Sequence, residues 1–306
     1  HRGAPAVQTT TSQNLTFTLA PVYPSSKLPT MSHALAPDGA RIHYEIHSAE
    51  QDRSLTPVVL VQGLGLSSRF WFELPRDLAN DPHRPRTTII FDNRGTGRSD
   101  RPKGILRPSR MADDVVAVLD ACGVEQAVVV GISMGGMIAM HAAVRHPGRV
   151  KGMVLMATTP GLPHGRMPTL HATAALLYTP FVRRRRVRWV DRILLPEHEL
   201  DRAAELLAAW PAVFRKDPIS PRTFFAQLAG VATHSVGFRL GRVRCPAVVV
   251  AGEDDILVPP ENARRIARRI PRSRLVLRPG VAHVIPVQEP RIVQESLAML
   301  EEMGGA

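Results

Sequence analysis

A serine flanked by glycines is the first sign of chemistry in the sequence. Residues 131–136 read Gly-Ile-Ser-Met-Gly-Gly, so Ser133 lies in a Gly-x-Ser-x-Gly pattern, between the apolar run 127–130 and a helical pattern that starts at Met134. A serine at a sharp strand-to-helix turn projects its hydroxyl above the sheet, where N–H groups at the helix N-terminus stabilise negative charge. The pattern predicts a catalytic nucleophile. The alternative is a plain glycine-rich connection between a strand and a helix.

A serine nucleophile needs a general base, and position selects His283 among the 12 histidines. His283 lies in the turn PGVAHVIPVQEP, between the last predicted strand and the last predicted helix. The loops that follow parallel strands lie at the same edge of a sheet, so we expect this turn and the serine turn to meet there. The alternative is a loop histidine without a catalytic role.

The base in turn needs a carboxylate to orient its ring and to stabilise the imidazolium. Three acids, Glu253, Asp254 and Asp255, crowd the turn after the apolar run 247–251. Asp255 fits the spacing Gly-x-x-Asp-x-x-x-Pro best, with Asp254 second and Glu253 third. The chain order serine, aspartate, histidine is the order expected for this sheet topology.

The negative oxygen of a tetrahedral intermediate needs hydrogen-bond donors. We predict that these donors are the backbone N–H of Met134, directly after the serine, and the backbone N–H of Leu64 in the loop 62–65. That loop fails as a dinucleotide fingerprint, because Ser68 stands where a third glycine would be. No GxxxxGK[ST] or HExxH motif is present either, so we expect no cofactor and no metal.

Apolar runs that alternate with helical patterns predict an α/β fold, with a mostly parallel central sheet and helices on both faces. A strand–turn–strand segment around Asp38 and Gly39 comes first. The predicted strands are 42–46, 58–62, 87–91, 127–131, 150–156, 247–251 and 274–278. The predicted helices are 70–79, 109–122, 134–146, 260–270 and 291–303.

Residues 161–242 interrupt this alternation with helical pieces, several prolines and no clear strand. They contain 13 Lys/Arg against 6 Asp/Glu, which is +7 of the chain's formal net charge of +12. We predict that they form a helical cap, inserted into a core of residues 31–160 and 243–306. Residues 1–30 are rich in Thr, Ser and Pro and almost uncharged, so they are predicted to be a disordered tail or a mis-called start.

Composition excludes several classes of protein. The 44% hydrophobic and 22% charged fractions are ordinary for a globular protein, and no apolar stretch is long enough to predict a membrane-spanning helix. Two cysteines, Cys122 and Cys245, cannot build a disulfide framework, which is compatible with a reducing cytoplasm. Only four of the 39 basic residues are lysine, a bias typical of GC-rich genomes, so the charge alone does not indicate a nucleic-acid partner.

Together these residues resemble the α/β-hydrolase superfamily over most of the chain. The segment 92–100, DNRGTGRSD, is similar to that superfamily's D-x-R-G-x-G-x-S loop. We expect Asp92 and Arg94 to pair and to hold this loop beside the site.

Two positions depart from the superfamily's pattern. Gln62 stands where the oxyanion loop usually begins with histidine, and Ala282 precedes His283 where glycine is common. The donating N–H belongs to the residue after Gly63, so we expect the oxyanion hole to survive while the bonds that hold the loop differ.

The resemblance implies an enzyme, and a serine nucleophile disfavours the haloalkane dehalogenases and epoxide hydrolases, which use aspartate there. The pattern looks closest to single-domain bacterial hydrolases that include enol-lactonases and polyketide methyl esterases. We predict hydrolysis of a carboxylic ester or lactone through an acyl-serine intermediate. The alternatives on the same triad are an acyltransferase, a thioesterase, a proline-iminopeptidase-type peptidase and a cofactor-free haloperoxidase or perhydrolase. The non-enzymatic alternative is a ligand-binding receptor or pseudoenzyme.

The cap is expected to select a small-molecule ester or lactone. Its large apolar residues are predicted to roof an acyl pocket, or else simply to pack the cap onto the core: Leu176, Leu177, Tyr178, Phe181, Trp189, Trp210, Phe214, Phe224 and Phe225. The run Arg183–Arg186 predicts a solvated helix face, or a site that attracts an anionic substrate or an anionic membrane surface. Nucleic-acid binding is not expected, because no basic stretch is interleaved with aromatic residues.

Overall fold

The structure, a computed structural model, describes residues 30–48, 55–101, 103–182 and 188–305. Its strands are β1 (Thr30–Leu35), β2 (Arg41–His47), β3 (Val58–Val61), β4 (Thr88–Phe91), β5 (Ala127–Ile132), β6 (Val150–Met156), β7 (Ala247–Gly252) and β8 (Ser273–Arg278). Its helices are α1 (Leu74–Ala79), α2 (Pro108–Ala121), α3 (Met134–Arg145), α4 (Leu170–Val182), α5 (Arg188–Asp191), α6 (Ala203–Leu206), α7 (Trp210–Lys216), α8 (Pro221–Ala232), α9 (Glu261–Ala267), α10 (Ile285–Gln288) and α11 (Ile292–Glu302). Short 3-10 helices span Ser68–Trp71, Glu197–Arg202 and Gly237–Arg242. The predicted tail before Thr30 and the run Arg183–Arg186 lie outside the described residues.

Within the described part of the chain, eight strands form one sheet in the order β1-β2-β4-β3-β5-β6-β7-β8. β2 pairs antiparallel with β1 and with β4, and the remaining pairs are parallel. From β3 the chain moves to β4 on one side and then returns to β5 on the other, so the strand order reverses beside β3. In open α/β sheets, ligands bind in the crevice that such a reversal opens at the carboxyl ends of the strands.

Central strands are apolar on both faces because helices cover both. Val59 and Val61 of β3 pack with α2, α3 and α9, whereas Val58 and Leu60 pack with α1 and α11. Successive side chains of a strand point to opposite faces, so a buried parallel strand reads as a continuous apolar run. The predicted α/β-hydrolase fold class, with its mostly parallel sheet and two helical layers, is confirmed.

Two elements differ from the predictions. The predicted helix 70–79 is divided, because a 3-10 turn ends at Trp71, Phe72 adopts a φ of 49°, and α1 begins at Leu74 with Pro75 in its first turn. Proline has no N–H to donate to a preceding turn, so it favours the start of a helix over its interior. The helix α10 was not predicted, because four residues are too few to show a helical period.

The helices α4 to α8 lie between β6 and β7, where the sequence predicts an inserted cap. Ala172 and Ala175 of α4 and Val190 of α5 pack with Leu257 and Val258, which follow β7. Further along, the apolar residues of the segment between α5 and α7 pack with the loop after β8. The cap therefore covers the carboxyl edge of the sheet, where the crevice lies.

Two segments, 159–162 and 234–237, join the cap to the sheet, and we call them the cap neck. They are hydrogen-bonded to each other. The carbonyl of Pro160 accepts from the backbone N–H groups of Val236 at 3.0 Å and Gly237 at 3.2 Å. The entry to the cap and the exit from it are thereby held together.

A pair of buried histidines ties the cap neck to α3. His141 Nε2 lies 3.1 Å from His234 Nδ1, and His234 Nε2 lies 3.1 Å from the carbonyl oxygen of Thr159. A carbonyl only accepts, so His234 donates from Nε2, and its Nδ1 accepts the bond that His141 donates from Nε2. Because its Nδ1 accepts a hydrogen bond, this arrangement requires the ring of His234 to be neutral. Burial lowers the pKa of His141 to about 3 and the pKa of His234 to about 4.

We expect acid to destabilise the fold through this pair. Below about pH 6.5, histidines in the unfolded chain bind protons that the folded rings, with their lowered pKa values, do not bind. The substitution His141→Gln keeps an N–H donor for His234 but removes one of these titrations. Between pH 7 and pH 5, the free energy of unfolding should therefore fall by about 2 kcal/mol less than in the wild type. Urea unfolding at both pH values measures the difference.

The control is His83→Gln, because His83 is exposed in the loop between α1 and β4. This control variant should keep the acid sensitivity of the wild type. If His141→Gln loses as much stability on acidification as the wild type does, the buried pair is not the source of the sensitivity.

Candidate active site

Ser133 occupies an abrupt turn between a strand and a helix. β5 ends at Ile132 and α3 begins at Met134, so the chain changes direction at a single residue. The backbone of Ser133 has φ 55° and ψ −118°, outside the regions that residues with a Cβ normally adopt. Such strain persists only where the surrounding structure enforces it.

Glycines make this turn sterically possible. A Cβ on Gly131 would collide with the carbonyl group of Gly135, and a Cβ on Gly135 would collide with the carbonyl group of Val61 in β3. On the other side, Thr158 Oγ1 donates a hydrogen bond of 2.8 Å to the carbonyl oxygen of Ser133. The first turn of α3 therefore packs directly on the backbone of β3, and the loop after β6 holds the turn in place.

His283 and Asp255 form a buried hydrogen-bonded pair. His283 Nδ1 lies 2.8 Å from Asp255 Oδ2. The other carboxylate oxygen, Asp255 Oδ1, accepts from the backbone N–H groups of Leu257 at 2.9 Å and Val258 at 2.8 Å. An ionised carboxylate only accepts, so the pair places the histidine proton on Nδ1 and leaves Nε2 as the ring's acceptor.

The other two acids of this turn are placed differently. Glu253 and Asp254 are exposed, and Glu253 Oε1 lies 3.7 Å from Arg264 Nη2. Among the residues that the structure describes, His283 hydrogen-bonds neither of them. The structure thus brings Asp255 to His283 and leaves Asp254 and Glu253 in solvent.

The loop after β3 passes very close to Ser133. A Cβ on Gly63 would lie 3.4 Å from Ser133 Cβ, so the loop backbone and the serine are in contact. Gln62, which stands where histidine is usual, holds this loop in two ways. Its side-chain Oε1 accepts from the N–H of Gly63 at 3.0 Å. Its backbone carbonyl oxygen accepts from Asn93 Nδ2 at 2.9 Å.

Leu64 and Met134, the two predicted oxyanion donors, line the same cavity as Ser133 and His283. In the described ranges, the backbone N–H groups of Leu64 and Met134 donate to no protein acceptor. Ser133 Oγ and His283 Nε2 are not hydrogen-bonded to each other there either. Catalytic hydrogen bonds are often long or poorly aligned before substrate binds, so the lack of this bond does not argue against the two residues as partners.

Gln227 of α8 is a buried residue of the site that the sequence did not indicate. Its Oε1 accepts from the backbone N–H of Gly65 at 2.8 Å, and its Nε2 donates to the carbonyl oxygen of Arg94 at 3.0 Å. A cap residue therefore joins the loop after β3 to the loop after β4. In the sequence it is one glutamine in an amphipathic helix, 162 residues from Gly65, and nothing local marks it.

The predicted pairing of Asp92 with Arg94 is wrong. Asp92 Oδ1 accepts from both the N–H and the Oγ of Ser68, each at 2.8 Å, and Oδ2 accepts from the N–H of Arg98 at 2.9 Å. Asp92 is fully buried, and these donors satisfy its carboxylate. The loop turns between residues 93 and 96, so the side chains at 92 and 94 leave it in different directions.

Arg94 pairs with acids from other segments instead. Its Nε donates to Asp114 Oδ2 of α2 at 2.7 Å, and its Nη1 donates to Asp38 Oδ2 at 2.9 Å. The hydrogen bonds from Arg94 hold the pKa of Asp38 well below its usual range. These two ion pairs anchor the loop after β4 to α2 and to the β1–β2 turn. The loop is thereby held in place beside the site.

A cavity of about 470 Å³ lies between the cap and the sheet edge, with Ser133 and His283 in its wall. Its wall is mostly apolar. Five of the nine cap residues that were predicted to roof a pocket line it: Leu176, Leu177, Trp210, Phe214 and Phe224. The prediction is wrong for the other four, which lie outside the cavity wall and are exposed to solvent: Tyr178, Phe181, Trp189 and Phe225.

Charged side chains are few in the cavity wall. Arg166 and Asp191 contribute to it, and His234 of the buried histidine pair reaches it as well. Among the described residues, no group of three or more His, Cys, Asp or Glu side chains is arranged to hold a metal ion. None of the helices in those ranges is long and apolar enough to cross a membrane.

Comparison with known sequences identifies the family. A model of the alpha/beta hydrolase fold family matches residues 56–290. A curated relative, a putative carbamate hydrolase RutD from Azorhizobium caulinodans, is 30% identical over 275 residues, which are 84% of this chain and 94% of the relative. The match therefore spans nearly the whole length of that relative.

Solved structures agree with this result. Est816, an N-acyl homoserine lactone degrading enzyme, is 29% identical with a TM-score of 0.71, covering 88% of this chain and 99% of that chain. The esterase RhEst1 from a Rhodococcus species is 25% identical with a TM-score of 0.72, covering 89% and 99%. The chain belongs to the alpha/beta hydrolase fold family and is a hydrolase of that family.

Proposed function

We propose that the protein is a serine hydrolase that cleaves a carboxylic ester or lactone through an acyl-Ser133 intermediate. The observation that carries the proposal is that the strained Ser133 shares one cavity wall with the hydrogen-bonded pair of His283 and Asp255. These three residue types supply a nucleophile, a base and an orienting carboxylate. The strain at Ser133 supports the same assignment, since strained non-glycine residues cluster at active sites.

In the proposed mechanism, His283 Nε2 takes the hydroxyl proton as Ser133 Oγ attacks the substrate's carbonyl carbon. The tetrahedral intermediate then expels the leaving oxygen, and His283 returns the proton to it. Water attacks the acyl-serine while His283 takes a proton again, and the acid product departs as Ser133 regains its hydrogen. Asp255 keeps the Nδ1–H oriented and stabilises the imidazolium in both steps.

The oxyanion is assigned to the backbone N–H groups of Leu64 and Met134. Both N–H groups lack a protein acceptor in the described ranges and both residues line the cavity. Met134 is also the first residue of α3, where the helix dipole favours negative charge. Donors that are fixed before the reaction stabilise the transition state without any cost of reorganisation.

The cavity favours a substrate with a substantial hydrocarbon portion. Its volume is in the range of sites that bind molecules of drug size, and its wall is mostly apolar. Similarity to Est816, an N-acyl homoserine lactone degrading enzyme, supports an ester or lactone that carries an apolar acyl chain. Similarity to the putative carbamate hydrolase RutD makes carbamate cleavage a second candidate, since the same serine could attack a carbamate carbonyl.

Hydrolysis of p-nitrophenyl esters from acetate to decanoate, with a phenyl carbamate in parallel, tests the proposal. We expect the wild type to prefer a medium-chain ester, because the apolar wall stabilises the acyl chain. Ser133→Ala should lower kcat about a thousand-fold or more, as loss of a triad member does.

The matched control Ser32→Ala, at an exposed position of β1, should retain wild-type kcat. A wild type that cleaves none of these compounds, or a Ser133→Ala variant that stays active, would contradict the proposal.

Gln227 is proposed as a positioning residue for the oxyanion loop. The substitution Gln227→Leu removes the bonds to Gly65 and Arg94, so we expect kcat to fall about tenfold or more with a smaller change in KM, since misplacement by about an ångström is costly. Steady-state kinetics on the preferred ester measure the two constants separately. Gln126→Leu is the control, because Gln126 hydrogen-bonds the Gly148 carbonyl at an exposed position. Equal kcat values for Gln227→Leu and the wild type would exclude the role.

A further inference from the structure

The surface of the cap exposes several large apolar side chains. Tyr178 and Phe181 of α4, Trp189 of α5 and Phe225 of α8 are all exposed, and Phe181 shows 64% of its surface to solvent. We call these four residues the aromatic surface. None of them lines the cavity, so binding of substrate in the cavity does not account for them.

The four rings form one continuous surface. Tyr178 stacks on Trp189 with ring centroids 5.4 Å apart, Tyr178 and Phe181 are 6.3 Å apart, and Phe181 and Phe225 are 6.4 Å apart. Three helices that are separate in the sequence therefore present their aromatic residues side by side. Single exposed apolar residues are ordinary, but a contiguous patch of this kind marks an interaction site.

The aromatic surface lies next to the cavity. Leu177 neighbours Tyr178 on α4, and it is both exposed and part of the cavity wall. Met167 and Leu162 on the segment before α4 are likewise exposed and in the wall. Whatever binds the aromatic surface is therefore adjacent to an apolar route into the cavity.

Charge indicates which kind of partner the surface fits. The described residues of the stretch 161–242, from which the aromatic surface is built, include nine Lys/Arg and six Asp/Glu, a formal charge of +3. Arg188 and Arg192 beside Trp189 pair with acids of the cap, whereas no ion pair of the exposed Arg222, three residues before Phe225, occurs among the described residues. A second copy of the chain would bring the same positive excess against this face. An anionic surface would be attracted instead.

We propose that the aromatic surface docks onto an anionic phospholipid bilayer. Tyrosine and tryptophan favour the boundary between hydrocarbon and water, because their rings are apolar and their tips are polar. The basic excess of the cap adds attraction to anionic headgroups, and this kind of binding needs no membrane-spanning helix. Docking would bring the cavity mouth to molecules dissolved in the bilayer. The docking itself does not depend on the proposed chemistry.

Vesicle flotation tests docking apart from hydrolysis if the Ser133→Ala protein is used. The vesicles are phosphatidylcholine with about 30% phosphatidylglycerol, and phosphatidylcholine alone. We expect the protein to float with the anionic vesicles, to bind the neutral vesicles more weakly, and to dissociate partly at high salt. Adding Tyr178→Ser and Phe181→Ser should lower the bound fraction about tenfold, because both rings would leave the interface.

Leu35→Ser is the matched control, since Leu35 is 71% exposed on the edge strand β1, outside the cap. It should bind as the parent does. In the Ser133→Ala background, all variants should keep the parent's urea midpoint. In the wild-type Ser133 background, the double serine variant should still cleave a water-soluble ester, because neither ring lines the cavity.

Trp189 offers a second readout. Its fluorescence should shift to shorter wavelength when anionic vesicles are added, and the shift should be absent in Trp189→Phe. Failure to float with anionic vesicles, or flotation that the double serine variant does not weaken, overturns the proposal. A dimer in light scattering that dissociates in the double serine variant overturns it too, because a second copy would then cover the surface.

Discussion

The site depends on a contact between backbones that only glycine permits. Gly135, in the first turn of α3, lies so close to β3 that a Cβ would strike the Val61 carbonyl, and Gly131 is equally confined by Gly135. The chain can pass from β5 to α3 in so little space only if Ser133 takes a positive φ. That conformation places the hydroxyl at the sheet edge beside the helix N-terminus. The strand order then brings the loops after β3, β7 and β8 to the same edge.

The cap contributes to the geometry of the site as well as to its walls. Gln227 reaches from α8 to hold the loop that carries Leu64, and the histidine pair joins α3, which begins at the serine turn, to the cap neck. A change in the position of the cap therefore alters the oxyanion loop directly. We infer that the cap influences the site through this coupling without supplying a member of the proposed triad.

The sheet and the triad candidates were predictable because their signals are local. A buried parallel strand is an apolar run, and a serine turn needs its glycines within two residues on either side. Asp255 and His283 follow from the rule that loops after parallel strands share an edge. Gln227, the His141–His234 pair and the partners of Arg94 were not predictable, because each joins segments that are far apart in the sequence. The roles of Tyr178, Phe181, Trp189 and Phe225 also needed the structure, since helical periodicity alone cannot tell a cavity wall from a solvent face.

The proposed chemistry depends first on Ser133 being the nucleophile. A p-nitrophenyl alkylphosphonate tests it most directly, because attack on phosphorus leaves a stable adduct that resembles the tetrahedral intermediate. Intact-mass measurement and peptide mapping locate the adduct. We expect one phosphonyl group per chain, attached to Ser133, that forms in step with the loss of activity and forms far more slowly in His283→Ala. An adduct on another residue, or inactivation without any mass added to the Ser133 peptide, would contradict it.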